Sequence, residues 1–348
     1  MASKIYEALP AFLGGKRKMV DIISSHFRGE TIADVFMGGG SVSLKVKEMG
    51  KRVISSDIAY RSKIIGEALI KNQRDKITEQ DVYGLFLSAK HNKFIEKNFT
   101  PRHFEIKTAK FLDTAFANVR KTESIRKKLL ELLLYKFIIC QRNFGSFVVG
   151  KQDNEMIASG NEIELLELTA SDSRVKKIKN ILSHPLPVLM NQRKQINAGI
   201  FNNFQKNEVY QMDVFEFLKL MKKRKEPIGT AYFDSPYKNS TEYSKHYEIL
   251  DKILEERLDV KIDDKAFNKE DALKNFERLF SLSEFIPRWV ISMGHVPNSG
   301  GGIKGEELLR VVEKFKPAKI YYLDHVWAIN NLSGKKQEEN VEYLIVTK

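Results

Sequence analysis

Two hydrophobic textures alternate along the chain. The runs Thr31–Asp34, Val53–Asp57, Val209–Asp213, Thr230–Phe233 and Arg288–Ser292 are short, rich in β-branched and aromatic residues, and stop at an acid, a turn residue or a serine. That pattern predicts buried strands. Between them apolar residues recur every three or four positions, which predicts helices over about 18–26, 41–49, 214–223 and 306–315. The last two strands expected, Lys319–Leu323 and Val341–Thr347, have only a polar stretch between them. Two strands joined without a helix suit an antiparallel edge on a mostly parallel sheet. The segment 248–285 is charged and reads as helical.

From Gln73 to about Gln205 the strand texture disappears. Helical spacing runs through Asp81–Lys93, Ile106–Asn118, Ile125–Ile139 and Ile163–Leu168. Basic and aromatic clusters separate these stretches: Lys90–Phe94, Pro101–Phe104 and Gln141–Phe147. Cations interleaved with rings suit phosphate contacts and base stacking. The pattern therefore divides the chain into an α/β domain, 1–72 and 205–348, and a mainly helical insertion, 73–204.

Candidate chemistry collects where strands end. In Phe36-Met37-Gly38-Gly39-Gly40, Gly38 and Gly40 permit a tight turn and close approach of a ligand. Asp57 closes the next strand 19 residues after Gly38, a suitable place for a carboxylate that binds ribose hydroxyls. Ser43 stands where a dinucleotide fingerprint has its third glycine. A nucleoside-like cofactor without a pyrophosphate is the better match. Asp213, followed by Val214 and Phe215, reads equally well as a helix N-cap or as part of an adenine pocket. The earlier stretch Phe12-Leu13-Gly14-Gly15-Lys16 lacks the spacing of a phosphate-binding P-loop. Asp234-Ser235-Pro236-Tyr237 puts an acid, a rigid turn and a ring at a strand's carboxyl end. Such a site suits a flat, hydrogen-bonding substrate such as a nucleobase.

Composition narrows the partner. The 348 residues carry a formal charge of +13, which favours a polyanion, most simply nucleic acid. The 42% hydrophobic content is ample for a core, and no run approaches a membrane span. The first residues lack the apolar core of a signal peptide, so a cytoplasmic setting is expected. Cys140, the single cysteine, lies in an apolar run and is expected in the core. No Cys/His spacing suggests a structural zinc site.

Phe12-Leu-Gly-Gly-Lys16, Phe36-Met-Gly-Gly-Gly40, Asp57 and Asp234-Ser-Pro-Tyr237 occur in an order that resembles the Dam-like, D12-class DNA adenine-N6 methyltransferases. The resemblance implies a Rossmann-like methyltransferase sheet, mostly parallel with an antiparallel edge strand, and an inserted helical target-recognition domain. It implies S-adenosylmethionine as cofactor, no metal, and double-stranded DNA as partner, with a restriction endonuclease acting separately. A bacterial, archaeal or phage origin follows from the same resemblance. Transferred residue by residue, the catalytic motif is Asp234, Ser235, Pro236 and Tyr237. The cofactor residues are Phe12, Gly14, Gly15, Lys16, Phe36, Met37, Gly38, Gly40, Asp57, Asp213, Val214 and Asp234. The DNA contacts are Arg142, Asn143, Phe144, Ser146 and Lys238. Two departures stand out: Ser235 replaces the first proline of the motif, and Phe12 stands where a tryptophan is usual. Three alternatives remain open here: cytosine-N4 methylation, RNA as the substrate, and a non-catalytic DNA-binding protein with a degenerate methyltransferase fold.

Overall fold

The computed structural model describes residues 4–12, 14–142, 147, 171–236, 243–263, 265–267, 271–296, 301–323 and 341–348. Two compact units emerge. An α/β unit comprises Lys16–Ala59, Asn203–Ser244 and Ile262–Lys348; a helical unit comprises Met1–Gly15, Tyr60–Asn202 and Lys245–Lys261. Compactness thus draws its lines at other points than composition does. It assigns Tyr60–Lys71 and residues 245–261 to the helical unit.

The α/β unit is built on β1 (Thr31–Asp34), β2 (Arg52–Asp57), β3 (Glu208–Gln211), β4 (Thr230–Phe233), β5 (Arg288–Val296), β6 (Gly301–Gly302), β7 (Ala318–Leu323) and β8 (Val341–Thr347). The main sheet runs β3-β2-β1-β4-β5-β8-β7. The first five strands are mutually parallel. The antiparallel pairing expected at this edge is made by β8, which lies one place in and runs against both β5 and β7. β6 is a short addition to β5, within a stretch whose glycines read in sequence as loop. Gly302 there adopts φ of 80°, and a Cβ on it would lie 2.0 Å from the Gly294 carbonyl oxygen, so only glycine fits.

Alternation decides which strand residues reach the core. In β4, Phe233 packs edge-on to Phe280 and Trp289, with ring centroids 5.8 and 6.3 Å apart. Its neighbour Tyr232 points the other way, towards Phe27 at 6.0 Å. The helices Val214–Lys223, Ala272–Leu282 and Gly305–Glu313 contribute Phe217, Phe276, Phe280, Leu308 and Val312 to one buried cluster. Strand order reverses between β1 and β4: from β1 the chain moves outward to β2 and β3, then returns to β4 on the opposite side. Open parallel sheets leave a crevice at the carboxyl ends of such a pair.

In the helical unit, Ser124–Cys140 forms the centre. Its stretch Leu129–Ile139 is buried on every side, as expected of a helix that is apolar all round. Two charges inside it are satisfied locally. Glu131 accepts from Tyr60 Oη and from Lys128 Nζ at 2.8 Å, while Lys136 donates to the carbonyls of Glu7 and Leu9. Ile106–Arg120 packs against it. The helix expected over Asp81–Lys93 is shorter, Glu79–Gly84, and starts with a Thr78/Asp81 capping box. Beyond it, the Leu87 carbonyl accepts from the Asn118 side chain at 2.7 Å, and Asn92 Oδ1 receives the Phe94 N–H at 3.1 Å. A distant side chain and a local one thus hold this stretch in non-helical form. Ile163–Leu168 lies outside the described residues. Cys140 is only half-buried, at the helix end, with its thiol 3.1 Å from the Phe137 carbonyl. Among the described residues no helix is long and apolar enough to cross a membrane.

Candidate active site

The glycine turn after β1 is held by the acid that ends β2. Gly38 and Gly40 have φ of 51° and 74°, a region costly for any residue with a Cβ. Gly40 is also the N-cap of helix Ser41–Glu48. Asp57 Oδ2 accepts the Gly38 N–H at 2.8 Å, and Oδ1 accepts the Ala59 N–H at 2.8 Å. Each oxygen keeps one lone pair. Asp57 therefore fixes the turn and retains acceptor capacity for a ligand.

Sequence reading passed over Asp34, the last residue of β1. It is buried, and its Oδ2 accepts from Ser43 Oγ at 2.6 Å; Ser43 Oγ also lies 2.7 Å from Ser55 Oγ. The serine standing where a third glycine was sought thus ties the helix to both strands. Oδ1 of Asp34 is buried without a hydrogen-bond partner. Burial raises its carboxyl to about 7; the Ser43 hydrogen bond opposes this, and the charges of Asp234 and Asp57 add to it. The available signal was an acid inside the apolar run Thr31-Ile-Ala-Asp-Val.

On the adjacent strand, β4 ends and Asp234 follows. Lys16 Nζ stands 2.9 Å from Asp234 Oδ1 and 3.9 Å from Glu342 Oε1. Lys16 and Glu342 are 4% and 0% exposed, whereas Asp234 keeps 19% of its side chain open to solvent. Burial pushes the Asp234 carboxyl up, and the Lys16 ammonium pulls it back. Ser235 is buried with no partner for Oγ. Pro236 follows; Tyr237 and Lys238 lie outside the described residues.

Asp213 adopts the N-cap geometry, its Oδ1 accepting from Phe215 N at 2.8 Å and Glu216 N at 3.4 Å. Val214 and Phe215 are buried, and Phe215 stacks on Phe267 at 5.9 Å. Phe36 meets Phe267 edge-on at 5.4 Å, and Met37 N–H donates to the Ser56 carbonyl at 3.0 Å.

The remaining candidates belong to the helical unit. Phe12 stacks on Tyr247 at 5.1 Å, and Gly15 N–H closes a turn on the Phe12 carbonyl at 3.2 Å. Gly14 has φ of 73°. The Arg142 guanidinium lies 4.6 and 4.2 Å from the ring centroids of Phe104 and Phe147 and donates to the His103 carbonyl. Asn143, Phe144 and Ser146 lie outside the described residues.

Comparison with known proteins bears on this arrangement. The family model of D12 class N6 adenine-specific DNA methyltransferases matches residues 12–154. Over 342 residues the chain is 25% identical to the Type II methyltransferase M2.HphI of Haemophilus parahaemolyticus, covering 96% of each. The chain is thus similar to the D12 class over residues 12–154 and to a Type II methyltransferase along nearly its whole length. Both similarities support site-specific adenine-N6 methylation of DNA, and a methyltransferase of the D12 class uses S-adenosylmethionine. The strand ends suit that cofactor. A glycine turn in left-handed conformation, a part-satisfied Asp57 and an orphaned buried Asp34 oxygen offer acceptors for ribose hydroxyls and an α-ammonium group.

Proposed function

We propose that Asp234 and the Ser235 carbonyl receive the N6 amino group of the target adenine. The supporting observation is the position of Asp234: at the end of β4, beside the turn-bearing β1, paired to a buried ammonium. The N6 lone pair is delocalised into the purine ring. Hydrogen bonds from both N6–H groups, to Asp234 and to the Ser235 oxygen, favour a tetrahedral nitrogen whose lone pair is free. A negative carboxylate also stabilises the positive charge that grows on N6. S-adenosylmethionine supplies the activated methyl group. As the N6–carbon bond forms and the carbon–sulfur bond breaks, N6 becomes cationic, and its proton then passes to water. Ser235 retains the carbonyl this role needs; it lacks only proline's fixed φ. The chemistry asks for no metal.

On this reading Phe36, Met37, Gly38, Gly40, Asp34 and Asp57 hold the cofactor, with Asp213 and Val214 shaping the turn after β3. A base within a duplex cannot reach a strand-end crevice, so the adenine is flipped out, and Tyr237 stacks on it, worth about 1–3 kcal/mol. The helical unit recognises the DNA target; its chain carries 30 Lys and Arg against 21 Asp and Glu. Similarity to a Type II methyltransferase fits a place beside a separate restriction endonuclease, in a cytoplasmic setting.

Incubation with labelled S-adenosylmethionine and mixed-sequence duplex DNA tests the proposal. Digestion to nucleosides should place the label in N6-methyladenine. Label in N4-methylcytosine, or cofactor binding without labelled DNA, refutes it.

A further inference from the structure

Glu342 has no assigned role, yet it sits where a carboxylate is hardest to keep. It lies inside β8, in register with Gly294 of β5 and Leu323 of β7, and has no exposed surface. A carboxylate there is tolerated only with a compensating charge. Lys16 supplies one, 3.9 Å away, while making its shorter contact of 2.9 Å with Asp234. One buried ammonium therefore faces two carboxylates brought from different strands.

The charge count bears on the chemistry. Lys16 and Asp234 alone sum to zero, and a neutral pair does little for a cation forming on N6. Glu342 restores a net negative charge to the trio and draws the ammonium partly away from Asp234. An ammonium with three donors can serve both oxygens. We propose that Glu342 is a positioning residue for methyl transfer: through Lys16 it keeps the Asp234 carboxylate available to the adenine amino group. This rests on the reading that Asp234 receives N6. Among the described residues, the other charged or titratable groups facing Asp234 are Asp34 on β1 and Tyr232 on β4, with Asp57 acting on Asp34 from β2.

The test uses the full-length enzyme with duplex DNA and labelled S-adenosylmethionine, and measures kcat, KM and the pH dependence of kcat. In Glu342→Gln, Lys16 loses one of its two carboxylates and leans further towards Asp234. The expected result is a kcat lower by tenfold or more, a cofactor KM within twofold of wild type, and an acid limb moved to lower pH. Lys16→Met should move the acid limb the opposite way, because it strips Asp234 of its cation. The double variant should lie close to Lys16→Met, well short of additive losses, since Glu342 reaches Asp234 chiefly through Lys16. A wild-type kcat and acid limb in Glu342→Gln overturn the inference, as does a double variant with additive losses. If Glu342→Gln does not fold, Glu342→Asp decides. Its shorter carboxylate must lower kcat and shift the limb downward; wild-type values overturn the inference. Full activity in an Asp234→Asn control would instead defeat the underlying reading, so the two failures are distinguishable.

Discussion

Asp34 allows a quantitative test of the strand-end electrostatics. Its carboxyl is 1% exposed and raised to about 7, against 3.8 for the unperturbed group. A folded value above the unfolded one gives a contribution to stability that is complete below pH 3.8. It is lost as pH rises through 7. At 1.36 kcal/mol for each pKa unit, the whole effect is about 4 kcal/mol, and about 2–3 kcal/mol of it falls between pH 5 and pH 8. Asp34→Asn removes the titration while leaving an oxygen to accept the Ser43 hydroxyl. Urea unfolding of both proteins at pH 5, 6.5 and 8, without cofactor, measures the difference. The variant should gain about 2–3 kcal/mol on wild type from pH 5 to pH 8. Parallel stability profiles would show that Asp34 is not held in a desolvated state. Weaker cofactor binding by the stabilised variant would be the cost of losing a carboxylate kept for function.

Three further outcomes are expected. Asp234→Asn keeps an oxygen for Lys16 but loses the charge, and kcat should fall roughly 10²–10³-fold, with cofactor affinity by calorimetry nearly unchanged. Gly40→Ala must place a Cβ at φ of 74°; it should cost about 1–2 kcal/mol in denaturant unfolding and raise the cofactor KM. Ser235→Ala removes a buried hydroxyl without a partner, so stability should rise by about 1 kcal/mol while the backbone carbonyl keeps kcat within a few-fold.

Much of the α/β unit was legible because its signals are local. Strand runs that stop at an acid need only neighbouring residues, and Gly38 and Gly40 announce a left-handed turn by lacking a Cβ. Ile106–Arg120 and Ser124–Cys140 match the periodic stretches to within two residues at each end, since long amphipathic or apolar runs carry redundant information. The helix over 81–93 failed because the competing partner, Asn118, comes from a distant part of the chain. The stacking of Phe215 on Phe267, far along the sequence, was likewise not legible from spacing.

The sequence by itself determined the vocabulary of the site: which strands end in acids, where glycine is obligatory, and that the chain carries excess positive charge. Only the tertiary structure decided how those acids are used. Asp57 clamps the glycine turn, Asp213 caps a helix, and Asp34 is sealed beneath two serines. Lys16 stands between Asp234 and Glu342. A side chain's charge is fixed by its chemistry, but its pairing depends on which strands lie side by side. In this sheet β4 and β8 are set by non-local packing, and spacing along the chain carries no record of it.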